Sequence, residues 1–373
     1  MKKNWLFLLI TLLLCFSVSA CDLQEVTPPT EAVPETEPAY ALNPAEGATA
    51  TLSPTPEAVE ITAKNAVSLA VINRSAASNI QQLRWADDSR TLLVSTQNTD
   101  STGAQTFGVT TLSVPVLQPE SIYSTTEERV ADLAPDGKKA VMVRLDMTAL
   151  SVIDLQAGNE SVFTLLPDYL INNASFSPDS ASLAVSNMEA WQITQYALSD
   201  GSEMRTLTGF ETAAPVYNAG FSSAPQWMVW HARGTIQLQD LETGAMAPVL
   251  GHEDFINAYE TSSDGTMLAS IALKTVNEQT LPAVLLWDPA QGAELQTLIL
   301  NEPGLCLDFA PNGSLLAVGT GTNLEIWDVS TASRIASLQG HADAVTHLAF
   351  SPDGRFIATA GMDNQLHLWQ VVE

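Results

Sequence analysis

Seven short turn-forming tetrapeptides, each following an apolar or aromatic residue, recur along this chain at near-constant spacing, and no other feature restricts its fold so severely. They begin at Ala86 (ADDS), Ala134 (APDG), Ser177 (SPDS), Ser222 (SSAP), Ser262 (SSDG), Ala310 (APNG) and Ser351 (SPDG), at intervals of 48, 43, 45, 40, 48 and 41 residues. Pro fixes φ at a central position of such a turn, and the Asp-Gly or Asn-Gly step supplies the left-handed residue that a tight hairpin needs. Ahead of the turns stand strand-like segments such as NNASF, LDFA and VTHLAF, and behind them TLLVS, KAVMV, SLAVS, MLASIA, LLAVG and FIATAG. A third strand follows (ALSVIDL, TIQLQDL, AVLLWDP, NLEIWDV, QLHLWQV), and most units close with a fourth (VFTLL, MRTLTG, LQTLIL, RIASLQ). In these segments apolar residues alternate with others, or run continuously where both faces of a sheet are to be covered.

Four antiparallel strands per unit, repeated about an axis, predict an all-β, seven-bladed β-propeller over residues 64–373. The seventh unit is one strand short, because the chain stops just after its third. The segment KNAVSLAVINR has no unit of its own, and Ala66 to Ile72 is predicted to form the missing outer strand beside Gln365 to Val371. That pairing closes the ring with the chain's two ends and hides an otherwise adhesive edge.

The final unit resembles the WD-repeat β-propellers. It carries Gly340-His341 before its first strand, SPDG at its turn, Asp363 before its third strand and Trp369 within it. The resemblance implies a hydrogen-bonded network of His341, Thr359, Asp363 and Trp369 that locks the blade. The unit from Gly251 keeps Gly-His at His252 and Trp287-Asp288 but carries the insertion KTVNEQTLP, and the unit after it keeps only Trp327-Asp328. In that family the turns joining fourth to first strands, and second to third, share the rim that binds partners. The rim here is expected to include Phe255 and the group Trp230, His231 and Arg233, side chains of the kind that dominate binding hot spots; their alternative is packing between blades, which is favoured for Trp230. The stretches from Asn98 (NTDSTGAQ) and from Asn277 to Leu281 are expected to be exposed loops.

Residues 1–20 read as an export signal. Lys2 and Lys3 precede the apolar run from Trp5 to Val18, which is short of the roughly 20 residues of a membrane-spanning helix. Val18-Ser19-Ala20-Cys21 resembles the lipobox of bacterial lipoproteins, which implies lipidation of Cys21 and a protein anchored on the extracytoplasmic face of the cell membrane. An ordinary signal cut after Ala20, or an uncleaved anchor, would export the chain equally. From Asp22 to Ala63 there are seven prolines, eight acidic residues and no basic one, so 21–63 reads as an extended, disordered linker. With Cys15 in the leader and Cys21 lipidated, Cys306 is the remaining thiol, and its setting in LCLDF predicts a buried structural role.

The formal net charge is −27. A surface so short of Lys and Arg excludes nucleic acid as a partner, while a saline habitat would select the same surplus. No HExxH pair, Cys/His cluster, GxSxG elbow or phosphate-binding glycine loop is present, so no metal, cofactor or catalytic function is expected. His347 and His367 are expected to approach each other in the last unit. The reading is a non-enzymatic, monomeric propeller that binds or scaffolds proteins from a membrane anchor. Two rivals stand beside it: a ligand sensor or solute- or glycan-binding lipoprotein, and an enzyme using a ring of charged side chains in the central channel.

Overall fold

The fold begins in the turns. In each of the seven, the amide of the first residue donates to the carbonyl five residues on, at 2.8 to 3.1 Å. The left-handed fourth position is filled by Gly137, Gly265, Gly313 and Gly354, with φ between 68° and 73°. Ser89 and Ser180 take the same role without glycine's freedom, at φ 55° and 54°. In the SSAP turn, where Pro225 occupies that position, Trp227 N–H instead donates to the Ala224 carbonyl.

The computed structural model describes residues 58–77, 79–157, 160–187, 192–208, 216–232 and 234–372. Seven four-stranded antiparallel sheets are arranged as blades. They span 80–125, 128–165, 171–207, 216–251, 258–299 and 304–339, with the seventh made of 345–371 and a strand from 69–76. Within each blade the first strand of the unit is innermost and the later strands follow outward. The fold is thus a seven-bladed β-propeller.

Every blade is buried on both faces, which is why its middle strands read as unbroken apolar runs such as Leu315–Thr320. The core divides accordingly into seven clusters, one at each junction between neighbouring blades. Cys306 lies in the cluster between blades six and seven, and burial pushes its thiol well above the ordinary range.

The ring closes through Leu69–Ala76, which pairs antiparallel with Gln365–Val371, Leu69 opposite Val371 and Ala76 opposite Gln365. The strand begins later than the sequence predicts, because Ala66–Ser68 is a turn of 3-10 helix. Just before it, the Asn65 side chain closes the Thr62–Asn65 turn by accepting the Thr62 amide at 2.7 Å. A bulge at Ile72 then breaks the register. Ile61 is buried between blades six and seven and donates its amide to Gly354 at 2.9 Å. The outer strand of blade four is reduced to Leu250–Gly251 plus a bridge from Gln239 to Met246. Pro248, which has no N–H to donate, stands in the gap.

The insertion after Lys274 is strand, not loop. Leu268–Val276 and Gln279–Asp288 pair throughout, leaving Asn277 and Glu278 as a two-residue turn with φ 51° and 66°. The hairpin of blade one likewise shortens its predicted loop to 100–104.

Candidate functional site

All inner strands run the same way, so the turns fall on two faces. The seven tetrapeptides and the turns from third to fourth strands lie on one face, here the lower. Turns from second to third strands, and from each outer strand to the next inner one, form the upper rim.

The network implied for blade seven is assembled by three such elements. His341 from the rim turn places Nδ1 3.0 Å from Asp363 Oδ1, and its Nε2 2.8 Å from Thr359 Oγ1. Trp369 Nε1–H donates to the same hydroxyl at 2.9 Å. One proton assignment satisfies the chain: Nδ1–H donates to the carboxylate, the Thr359 hydroxyl to Nε2, and the indole to the hydroxyl. Burial opposes the Asp363 charge, yet the Ala342 amide and His341 hold its pKa below the ordinary value.

A carboxylate, an imidazole and a hydroxyl in line are also the parts of a hydrolase triad. Here the hydroxyl has no access to a substrate, since Thr359 is 0% exposed and His341 3%. His341, Asp363 and His367 bring possible metal-binding atoms within 4.8 Å of one another. The two imidazoles, however, stack with centroids 4.0 Å apart and planes 15° from parallel. Their in-plane lone pairs run side by side and do not converge on one ion. The predicted neighbour of His367 was His347, but Ile357–Gly361 separates their strands. His347 instead faces the Gln81 carbonyl of blade one at 2.9 Å.

Blade five keeps half of the network. His252 Nε2 and Trp287 Nε1 meet the Ser270 hydroxyl at 2.7 and 2.9 Å. The extended hairpin removes the Asp position, and His252 Nδ1 is buried without a partner. Burial lowers the His252 pKa to about 4, and burial with the nearby His341 does the same to His367. In blade six, Trp327 turns to Glu325 at 3.1 Å, and Arg334 pairs with that carboxylate at 2.6 Å.

The inner strands hold a feature the sequence reading missed. The position two residues before each turn carries Arg84, Asp132, Ser175, Gly220, Glu260, Asp308 and Ala349 in blades one to seven. Asp132 accepts the Phe176 amide of blade three at 2.8 Å, Ser175 the Phe221 amide of blade four at 3.0 Å, and Asp308 the Phe350 amide of blade seven at 2.7 Å. Glu260 accepts from Ser223 of blade four at 2.7 Å. Arg84 lies 3.6 Å from Asp132. Burial raises the pKa of Asp132, Glu260 and Asp308, and the Glu260 charge raises Asp308 further. These side chains fasten one blade to the next. Stepping through the turns at a fixed offset would have found them.

The rim residues part company. Trp230 is 1% exposed and packs between blades three and four, so it is core and no longer a rim contact. His231 is half-buried, edge-on to Tyr259 at 5.2 Å, and burial lowers its pKa. Arg233 lies outside the described residues. Phe255 is 51% exposed and borders a cleft of about 240 Å³ between blades five and six. A broader depression of about 470 Å³ lies at the lower-face seam of blades seven and one, where Asp87, Asp88 and Asp353 alternate with Arg90 and Arg355.

Residues 332–370, which include the blade-seven network, match the family model of the WD domain, G-beta repeat. The small ribosomal subunit protein RACK1 of Drosophila melanogaster is 29% identical over 130 residues, 32% of this chain and 39% of that protein. The WD repeat-containing protein 3 homolog of Dictyostelium discoideum is 24% identical over 224 residues, 53% of this chain and 23% of that protein. These matches support a WD-repeat β-propeller. Pre-mRNA-processing factor 19 of Oryza sativa subsp. japonica reaches 44% identity over 66 residues, 17% of this chain and 12% of its own. The chain thus spans well under half the length of each of these relatives.

Proposed function

We propose that this WD-repeat propeller is a non-catalytic docking module that holds a protein partner on its upper rim while a lipid on Cys21 anchors it to the outside of the cell membrane. The observation that carries the docking half is the rim itself, where Leu145, Leu166, Phe255 and Met362 are each about half exposed or more on a rigid, doubly buried scaffold. WD-repeat relatives support the same class of function.

The anchor rests on the leader and lipobox, which lie outside the described residues. Among the described residues no helix is long and apolar enough to cross a membrane. The way the chain enters the propeller fits a tether: Glu60 accepts the Asn312 side chain at 2.9 Å, against the lower-face turns.

Two measurements test the two halves. Cys21→Ala should move the protein from the membrane to the soluble fraction, and unchanged membrane association refutes the anchor. A photo-crosslinking residue at position 166 or 255 should capture a partner on intact cells that the same residue at position 90 does not. Equal capture from both faces refutes rim docking.

A further inference from the structure

The cleft between blades five and six has a built shape. Its floor is spanned by Asn257, whose side chain donates to the Gly304 carbonyl at 3.2 Å. Apolar Phe255 and, from the long hairpin, Ile271, Leu273 and Pro282 line it together with the polar Asp254. Pro303 completes the lining. Glu253 ties the rim turn to the hairpin by accepting the Thr275 amide at 3.0 Å, so the walls are held in place. A Cβ at Gly304 would meet the side-chain methyls of Ile271 and Leu300 at 3.1 Å, a close fit that they would relieve by giving a few tenths of an ångström.

Among the described residues of the rim turns, the charge around this opening has one sign. Glu253, Asp254, Glu278, Glu302 and Asp343 stand exposed on the neighbouring rim turns. No Lys or Arg occupies any described residue of the upper-rim turns, whereas the lower face mixes Arg90, Lys138 and Arg355 with its acids. Arg233, in a rim turn, lies outside the described residues; of the described bases near the rim, Arg144 and Lys274 pair with Asp146 and Glu294 at 2.7 and 2.8 Å, and Arg129 donates to the Asn172 carbonyl at 2.9 Å.

We propose that this cleft takes an apolar anchor side chain from a cationic peptide segment, whose Lys or Arg residues lie against the acidic turns around it. This rests on the docking reading and names the partner's chemistry. The apolar walls supply affinity at one side chain, and the single-signed field steers basic segments in and turns acidic ones away.

The test is selection of a displayed random peptide pool on the immobilised full-length chain. Enriched peptides should carry an aliphatic or aromatic residue flanked by Lys or Arg. Phe255→Ser, an exposed position whose change should leave the melting temperature unaltered, should weaken their binding about tenfold. Asp254→Asn with Glu302→Gln should flatten the loss of binding with salt, and Leu166→Ser, remote on the rim, should change neither. Enrichment of acidic or neutral peptides, or binding untouched by Phe255→Ser, overturns the cleft proposal. If such peptides are lost with Leu166→Ser, rim docking stands while the cleft falls. No enrichment over a blank surface refutes both.

Discussion

Thr359 is the node of the blade-seven network, and Thr359→Val removes its hydroxyl while keeping its shape. Two buried groups lose their partner at once: the Trp369 indole N–H at 2.9 Å and His341 Nε2 at 2.8 Å. A buried polar group left unsatisfied costs about 1–3 kcal/mol, so the pair should cost about 3 kcal/mol in total, with little added for a cavity because valine fills the site. For an unfolding slope of about 3 kcal/mol per molar urea, the midpoint should drop by about 1 M. Trp369→Phe removes the indole N–H and makes the stricter test possible. In the double variant that donor no longer exists to be orphaned, so the combined loss should fall short of the sum by about 1–2 kcal/mol. Equilibrium urea unfolding of the four proteins measures this. Additivity within about 0.5 kcal/mol would mean that the two side chains are independent, and the network reading would be wrong.

Asp308 keeps its proton above the ordinary carboxylate range because it is buried beside Glu260. The native state therefore holds a proton that the unfolded chain has released, and stability drains as pH rises from about 4 through the folded pKa. Asp308→Asn, which still accepts the Phe350 amide, should gain about 1 kcal/mol or more at pH 7 and nothing at pH 4, as read from urea midpoints. His252 and His367 act in the opposite sense. Their folded pKa values near 4 lie below the ordinary 6.5, so the unfolded chain takes up protons first as pH falls. Between pH 6.5 and 4 they should remove about 1–2 kcal/mol each after allowance for water near the rim, and paired His→Gln variants should flatten that limb of the stability curve.

The turns and the period were legible because both are local. A hairpin needs its left-handed residue wherever the chain goes, and Ser89 and Ser180 show that the position, more than glycine, is what repeats. The blade-seven network was legible for the same reason, since one unit supplies all four residues. Trp230 was a rim candidate by residue type, with packing between blades the favoured alternative, and packing holds because a blade's second strand has no outward face. Its neighbours on both sides are other blades. The inner-strand carboxylates were missed because each acts on a neighbouring blade, 37 to 44 residues away, as Asp132 does on Phe176. The closing strand was legible as a count, one strand missing and one segment spare. Its start was not, because the 3-10 turn at Ala66–Ser68 that delays it carries no turn residue that the sequence marks.

The acidity can now be divided by what the turns require. Asp88, Asp136, Asp179, Asp264 and Asp353 each accept a backbone amide two residues on, which holds the lower-face turns in shape. That task does not need charge, since Asn312 performs it in the APNG turn by accepting the Ser314 amide at 3.0 Å. Local structure therefore explains why Asx residues crowd the turns, and it leaves the choice of Asp over Asn unexplained. A general preference for acidic surfaces would spread its few basic residues over both faces. The described turns place them on the lower face and leave the upper rim without any. Composition alone cannot tell these cases apart, because −27 is the same sum either way. The distribution can: among the described turns both faces carry acids, but the bases stand on the lower one, so what sets the upper rim apart is its lack of neighbouring cations and not a larger share of the acids.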